Sequence, residues 1–380
     1  MNLPESLERV AVNQFVSPSL LTLQPVCVLR RLGRNLDGSR ISGLIESPWS
    51  IVGTLVHRAI QIADGRSNII QIYEELIRRR EAELCQDTRR QHFTPLSKAI
   101  GESGWSSRLA ILESRKGSGE SIPIAQLDTK QGHTLFNQDF GHEKWFQSND
   151  LGLGGSIDLL EFVDDDLIRI TDWKTGPVFE GDGQVKADYK LQLTAYRMLV
   201  SERWPDKNVE TYLFNGERVT VQVTPEDEQR VHHIVRSIQQ VIAGRNSARS
   251  IDIASLGDDC SDCLIRHKCP LYMKEMYRTG RGFSSPEQPT SGDIMGTVTS
   301  ISTLGETTVI DLTLPTGAMV QMRWSSGRQG IHDLEGRTVA AFGLLPFIRQ
   351  SQVTGKKQDS IMYAEVINSR RAWQGEIFGM

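Results

Sequence analysis

The chain has 380 residues, 24% of them charged and 38% apolar, with a formal net charge of −4. That length holds two domains and a full core, and the balance excludes a fibrous, disordered or uniformly basic protein. A local basic groove for nucleic acid is still compatible with a mildly acidic whole. The opening MNLPESLERVAVNQF has no uninterrupted apolar core, so no secretory signal is expected, and without a run of about 18 apolar residues no membrane span is expected either. Five cysteines in a long chain without an export signal do not suggest a disulfide framework, and the expected compartment is the cytoplasm.

Residues 1–50 mix short apolar runs with Pro and Gly, and helical patterns follow from IVGTLVHRAIQIA to RLAILESRK. In SNIIQIYEELIRRREAELC, Ile69, Ile72, Tyr73, Leu76 and Ile77 recur at helical spacing, with Ser67 as N-cap. GGSIDLLEFV and LIRITDW read as strands, KADYKLQLTAYRMLVSERW as a helix and VETYLFN as another strand. Thr224, Pro225 and Asp227 open a further helix with a capping-box pattern. Strands interleaved with helices predict a mixed α/β core. The stretch TGRGFSSPEQPTSGD concentrates Gly, Ser and Pro and marks a boundary, giving units over residues 1–283 and 284–380. In the second unit Ile310, Leu312 and Leu314 face one way, as do Val320, Met322 and Trp324. The joining Pro-Thr-Gly predicts a three-residue hairpin with Gly317 left-handed. About five strands in a tract of this size predict a small β-barrel, OB-like as the first choice.

The chemistry concentrates in GGSIDLLEFVDDDLIRITDWKTG. An antiparallel hairpin about the acidic turn puts Asp172 and Lys174 on one face, Trp173 on the other and Asp158 on the partner strand within reach. Two converging carboxylates repel unless a cation separates them, and Mg²⁺ or Mn²⁺ suits oxygen ligands. Such an ion polarises a phosphodiester and acidifies water, while a lysine orients that water or offsets developing charge. A bare D-x-K equally fits a surface hairpin, with Asp172 paired to Lys174 or Arg169. Gln192 and Tyr196, four apart on a helix, project from one face. His57 lies on an apolar stripe with Val52, Val56 and Ile60, where a core histidine is the simpler reading.

Four motifs in order, GTLVH (Gly53 to His57), GSID (Gly155 to Asp158), DWK (Asp172 to Lys174) and QLTAY (Gln192 to Tyr196), resemble the PD-(D/E)XK nuclease superfamily. The similarity is to its RecB-like branch, which includes CRISPR-associated exonucleases and the nuclease domains of helicase–nucleases. The resemblance implies a restriction-endonuclease-like core, a mixed central sheet flanked by helices. It makes His57, Asp158 and Asp172 metal ligands, with the Trp173 carbonyl as a further one. Lys174 becomes the catalytic lysine, and Gln192 and Tyr196 line the site. The histidine ligand shifts the expected ion somewhat toward Mn²⁺.

CSDCLIRHKC places Cys260, Cys263 and Cys269 together, with Cys27 far upstream and Cys85 on a helix as an ordinary residue. Local spacing fits a zinc site of Cys260, Cys263, His267 and Cys269 as well as a four-thiolate cluster using Cys27. The set resembles the iron–sulfur subset of RecB-like nucleases, which implies a [4Fe–4S] cluster on Cys27, Cys260, Cys263 and Cys269 tying the two ends of the nuclease fold together.

Arg78, Arg79, Arg80, Arg89 and Arg90 are either phosphate contacts or a solvated helix face paired with glutamates. Trp324 and Phe347 are candidates for base stacking in the barrel, which could equally be a protein-docking module. No G-x-x-x-x-G-K-[ST] motif occurs, so any unwinding falls to a separate helicase or ATPase subunit. The expectation is a metal-dependent deoxyribonuclease, an exonuclease on single-stranded or frayed DNA in repair, recombination or defence. The alternative is a catalytically silent, nuclease-derived scaffold that binds DNA or a helicase.

Overall fold

A computed structural model describes residues 7–22, 27–41, 43–44, 46–63, 68–86, 95–117, 141–242, 246–257, 260–283, 292–305, 307–325, 332–353, 356–364 and 376–379. The chain opens with β1 (Arg9–Val12), which buries Val10 and Val12, followed by α1 (Val28–Leu32) and β2 (Gly33–Arg34). The helical periodicity then folds as α2 (Pro48–Ile62), α3 (Ile69–Gln86) and α4 (Leu96–Gly117), the last kinked at Gly101. Ser47 caps α2 by accepting from the Ser50 N–H at 3.2 Å, and Pro48 suits the first turn because it has no N–H to satisfy. Val52, Val56, Ala59 and Ile60 bury against Tyr73 and Ile77 of α3. The Ser67 cap lies outside the described residues.

Next come β3 (Gly141–Ser148), β4 (Leu153–Asp164) and β5 (Leu167–Trp173), an antiparallel meander. The acidic turn between the last two is the predicted one, and the Asp166 N–H donates to Asp164 Oδ1 at 2.9 Å. Helix α5 (Ala187–Arg203) then leads to β6 (Asn208–Phe214), which runs parallel to β5, and β7 (Arg218–Thr220) adds an antiparallel edge. The resulting five-stranded sheet, β3-β4-β5-β6-β7, is mixed and carries helices on its two faces. Leu153, Ile157, Ile168 and Ile170 pack toward α5, whereas Leu159 and Trp173 pack toward α2 and α3.

Helix α6 (Pro225–Ile242) starts with the expected reciprocal cap. The Thr224 N–H donates to Asp227 Oδ2 at 2.9 Å, and the Asp227 N–H donates to Thr224 Oγ1 at 3.3 Å. Thr224→Ala is therefore expected to cost about 1 kcal/mol of stability, measured as a lower urea midpoint with unchanged slope.

Strand β8 (Ser247–Arg249), α7 (Ser250–Ile253) and α8 (Pro270–Thr279) complete this unit. β1 lies between β2 and β8 in a small antiparallel sheet, so the chain's beginning is knitted to residues some 240 positions later. The Leu7 N–H donating to Lys268 O (3.3 Å) and the Leu44 N–H donating to Leu264 O (2.6 Å) extend that join to the cysteine segment.

The C-terminal part is one sheet of β9 (Ile294–Leu304), β10 (Thr307–Thr313), β11 (Met319–Ser325), β12 (Thr338–Phe342), β13 (Leu345–Val353), β14 (Lys356–Ala364) and β15 (Glu376–Gly379). Its order is β13-β14-β11-β10-β9-β12-β15, with β11 and β14 parallel, so it has seven strands where about five were expected. The predicted hairpin turn is present, with Gly317 at φ 82° where a side chain would be strained. Ile310, Leu312, Leu314, Val320 and Met322 form the inner face. The side chains of Trp324 and Phe347 lie outside the described ones.

The two parts meet through buried chemistry rather than a loose tether. Arg266, in the cysteine segment, donates to both Asp293 oxygens (Nε to Oδ2 2.5 Å, Nη2 to Oδ1 3.1 Å). Tyr272 Oη–H and the Gly343 N–H donate to the same carboxylate at 2.7 and 2.8 Å. Residues 284–291 of the predicted boundary lie outside the described residues, but a bridge between Arg281 and Ile294 joins their flanks.

Candidate metal centre and cysteine site

Two glycines allow the elements of the site to approach. At Gly53 on α2 a Cβ would fall 3.0 Å from Thr175 Oγ1, directly after the D-x-K strand. At Gly155 on β4 it would fall 2.6 Å from Pro18 Cδ and 3.3 Å from Tyr196 Cε1. The glycines of the first two motifs thus bring α2 and α5 close to the central strands.

On that frame the predicted residues converge. His57 Nδ1 lies 3.7 Å from Asp158 Oδ2, and the His57 ring meets Trp173 edge-on at 5.9 Å between centroids. The Trp173 N–H donates to Asp158 Oδ2 at 2.7 Å, and its carbonyl accepts from His57. Lys174 Nζ stands 2.7 Å from Asp172 Oδ2 and donates to Gln192 Oε1 at 2.7 Å. Gln192 Nε2 donates to Tyr196 Oη at 3.4 Å, and Tyr196 Oη–H donates to Ser156 O at 2.7 Å. The ammonium of Lys174 also lies 4.5 Å above the Tyr189 ring.

The surface-hairpin reading of D-x-K does not hold. Asp172 pairs with Lys174, but it is 2% exposed, and Arg169 turns instead to Glu210 at 3.5 Å. His57 sits at the edge of its apolar stripe with a quarter of its side chain exposed, not in the core.

Glu143 was missed by the sequence reading. It lies on β3 opposite Asp158, between the pairs His142–Leu159 and Lys144–Ile157, and its φ of 52° is the one positive value of a non-glycine among the described residues. The Ser156 hydroxyl donates to Glu143 Oε2 at 2.8 Å. Ligand atoms of His57, Glu143 and Asp158 all lie within 4.8 Å of one another, a spacing suited to one ion; Asp172, expected as a ligand, is not in that group and lies against Lys174 at 2.7 Å.

Electrostatics agree with that geometry. Burial, then the neighbouring Asp172, pushes the Asp158 carboxyl well above its ordinary range. Burial pushes the His57 imidazole down, keeping its nitrogens neutral, as a ligand requires. Asp172 Oδ2, although near Lys174, accepts no aligned hydrogen bond. An imidazole with several carboxylates and a backbone carbonyl fits Mg²⁺ or Mn²⁺. Because a raised acid holds its proton to higher pH, cation and proton compete for Asp158. Mn²⁺ affinity is therefore expected to weaken as pH falls, with proton release on binding. Calorimetry in two buffers of different ionisation enthalpy checks this, and Asp158→Asn should remove its share of the released protons.

The cysteines occupy the join described above. Cys260, Cys263 and Cys269 are buried and Cys27 half-buried; Cys27 and Cys269 precede α1 and α8. Each of the three buried thiols feels Cys27 electrostatically, so the distant cysteine has come to the cluster. Burial pushes Cys260 up to about 11 and Cys263 up to about 12. Backbone N–H groups of Gly257, Ile265, Tyr272 and Leu271 point at these sulfurs, as thiolate ligands need. Four gathered thiols with such donors fit a metal or cluster better than inert cysteines. His267 is buried against Phe342, with ring centroids 6.2 Å apart. Cys85 is exposed and apart from this group.

Arg78 and Arg79 pair with Glu75, and Arg80 with Glu83, so their face is the solvated one; Arg89 and Arg90 lie outside the described residues. Among the described residues no helix is long and apolar enough to cross a membrane.

A mixed sheet flanked by helices, with acidic residues on its strands and a lysine directly after the central one, is the frame of a metal-dependent nuclease. The family model of the PD-(D/E)XK nuclease superfamily matches residues 16–270, and the chain belongs to that superfamily. Comparison with curated proteins finds no match.

Proposed function

We propose that the chain is a deoxyribonuclease of the RecB-like branch, an exonuclease acting on single-stranded or frayed DNA in the cytoplasm, in repair, recombination or defence. The supporting observation is the unbroken chain of contacts from His57 through Asp158, the Trp173 peptide, Asp172 and Lys174 to Gln192 and Tyr196. In this reading His57, Glu143, Asp158, Asp172 and the Trp173 carbonyl hold Mg²⁺ or Mn²⁺. The bound ion supplies Lewis acidity toward the phosphate and its attacking water. Lys174, fixed between Asp172 and Gln192, orients that water or neutralises charge growing on the phosphate. Gln192 and Tyr196 hold the lysine and the β4 backbone in place.

The test is incubation of end-labelled single-stranded and duplex DNA with Mn²⁺, Mg²⁺ or EDTA. Metal-dependent shortening of the single strand is expected. Binding without cutting under every condition would instead make the chain a DNA- or helicase-binding scaffold.

For the cysteines the reading is a [4Fe–4S] cluster on Cys27, Cys260, Cys263 and Cys269. Support comes from the approach of the distant Cys27 to the other three cysteines. Anaerobic preparation should give a brown protein, whereas a colourless one with stoichiometric zinc would favour Cys260, Cys263, His267 and Cys269. Residues 284–380 are read as an OB-like barrel: the meander β9–β11 is extended by β12 on one side and by parallel β14 on the other. Such a barrel suits docking to DNA or to a separate helicase.

A further inference from the structure

One aromatic side chain on the face of the metal centre has no structural task. Trp145 on β3 is 59% exposed, although a tryptophan offers more apolar surface than any other residue. It follows Glu143 by two positions and pairs directly with Ser156, whose hydroxyl bonds Glu143, so ring and carboxylate share one face of the sheet. One strand step of about 6.8 Å separates them.

The ring is held, not loose. Its Nε1–H donates to Gln147 Oε1 at 3.2 Å. On the other strand Gly154 leaves it room, since a Cβ there would lie 3.3 Å from Trp145 Cζ2. Its strand neighbours on this face are Ser156, Gly154 and Gln147, and the half-buried Phe15 borders the same Gly154 position, where a Cβ would lie 3.0 Å from Phe15 Cβ.

We propose that Trp145 is a base-stacking platform that seats the nucleobase beside the phosphate held at the metal centre, and so selects an unpaired strand. The proposal rests on the nuclease reading and adds the residue that recognises the substrate. An unpaired base exposes its π-face to such a ring, whereas a base inside a duplex has both faces covered by its neighbours. Stacking tolerates any base, so the subsite confers strand preference without sequence preference.

The experiment measures binding of a fluorescently labelled single-stranded oligodeoxythymidine in EDTA, where no cleavage can occur, against a blunt duplex of equal length. Trp145→Ala is expected to weaken single-strand binding about tenfold, Trp145→Phe to restore most of it, and duplex binding to stay unchanged. Tryptophan emission quenched by the oligonucleotide should lose part of that quenching in Trp145→Ala. Equal single-strand affinity of wild type and Trp145→Ala would overturn the stacking role, even if the wild type cuts DNA with Mn²⁺. Equal weakening for single strand and duplex would overturn strand selection. Loss of metal-dependent cutting in the wild type, with the Trp145 effect on binding intact, would instead remove the nuclease reading and leave the platform.

Discussion

Lys174→Met is expected to slow single-turnover DNA cleavage by about a hundred- to a thousandfold at saturating Mn²⁺. Among the described residues the lysine is the one ammonium placed on Asp172, at 2.7 Å, and Gln192 fixes its other side at the same distance. A charge pre-positioned in a largely buried site acts on the reacting phosphate without first reorganising, which is why its loss is felt mainly in the rate. Methionine keeps the volume and removes the charge. Removing a buried cation also leaves Asp172 without its partner, which by itself destabilises the site. Bound Mn²⁺ offsets that loss, so the variant should unfold at lower temperature in EDTA yet recover with Mn²⁺ while staying slow. Asp172→Asn should lose cleavage as severely while also weakening Mn²⁺ binding, which separates ligand from lysine. Wild-type rates in both variants would contradict the assigned roles.

Asp293→Ala is expected to cost about 3–5 kcal/mol of stability. Burial alone would push the Arg266 guanidinium down, but Asp293 more than offsets it and holds the charge. Alanine would strand that cation and leave the Tyr272 hydroxyl and the Gly343 N–H without their acceptor. Arg266 Nη1 also donates to Cys263 O at 3.0 Å, so the same lesion reaches the cysteine segment. Urea unfolding followed by fluorescence checks the magnitude. Replacing both partners, Arg266→Met with Asp293→Leu, should cost less than Asp293→Ala alone, because no buried charge is left unpaired.

The elements nearest the chemistry were legible because local rules and global packing agree there. Alternation in SIDLLEFV and LIRITDW gave the hairpin, and helical spacing put Gln192 and Tyr196 on one face. Glu143 was not legible. GHEKWFQS lacks an alternating apolar signal, and Glu143 reaches the site only through pairing with β4 and a left-handed backbone. The Arg266–Asp293 lock spans the Gly-, Ser- and Pro-rich stretch, where local composition signals a boundary and says nothing of a long-range ion pair.

Crystals soaked in Mn²⁺ and measured at the manganese absorption edge test the central claim most directly. An anomalous peak within bonding distance of His57, Glu143, Asp158 and Asp172 is the predicted result. A peak elsewhere, or none at Mn²⁺ concentrations that support cleavage, would contradict it.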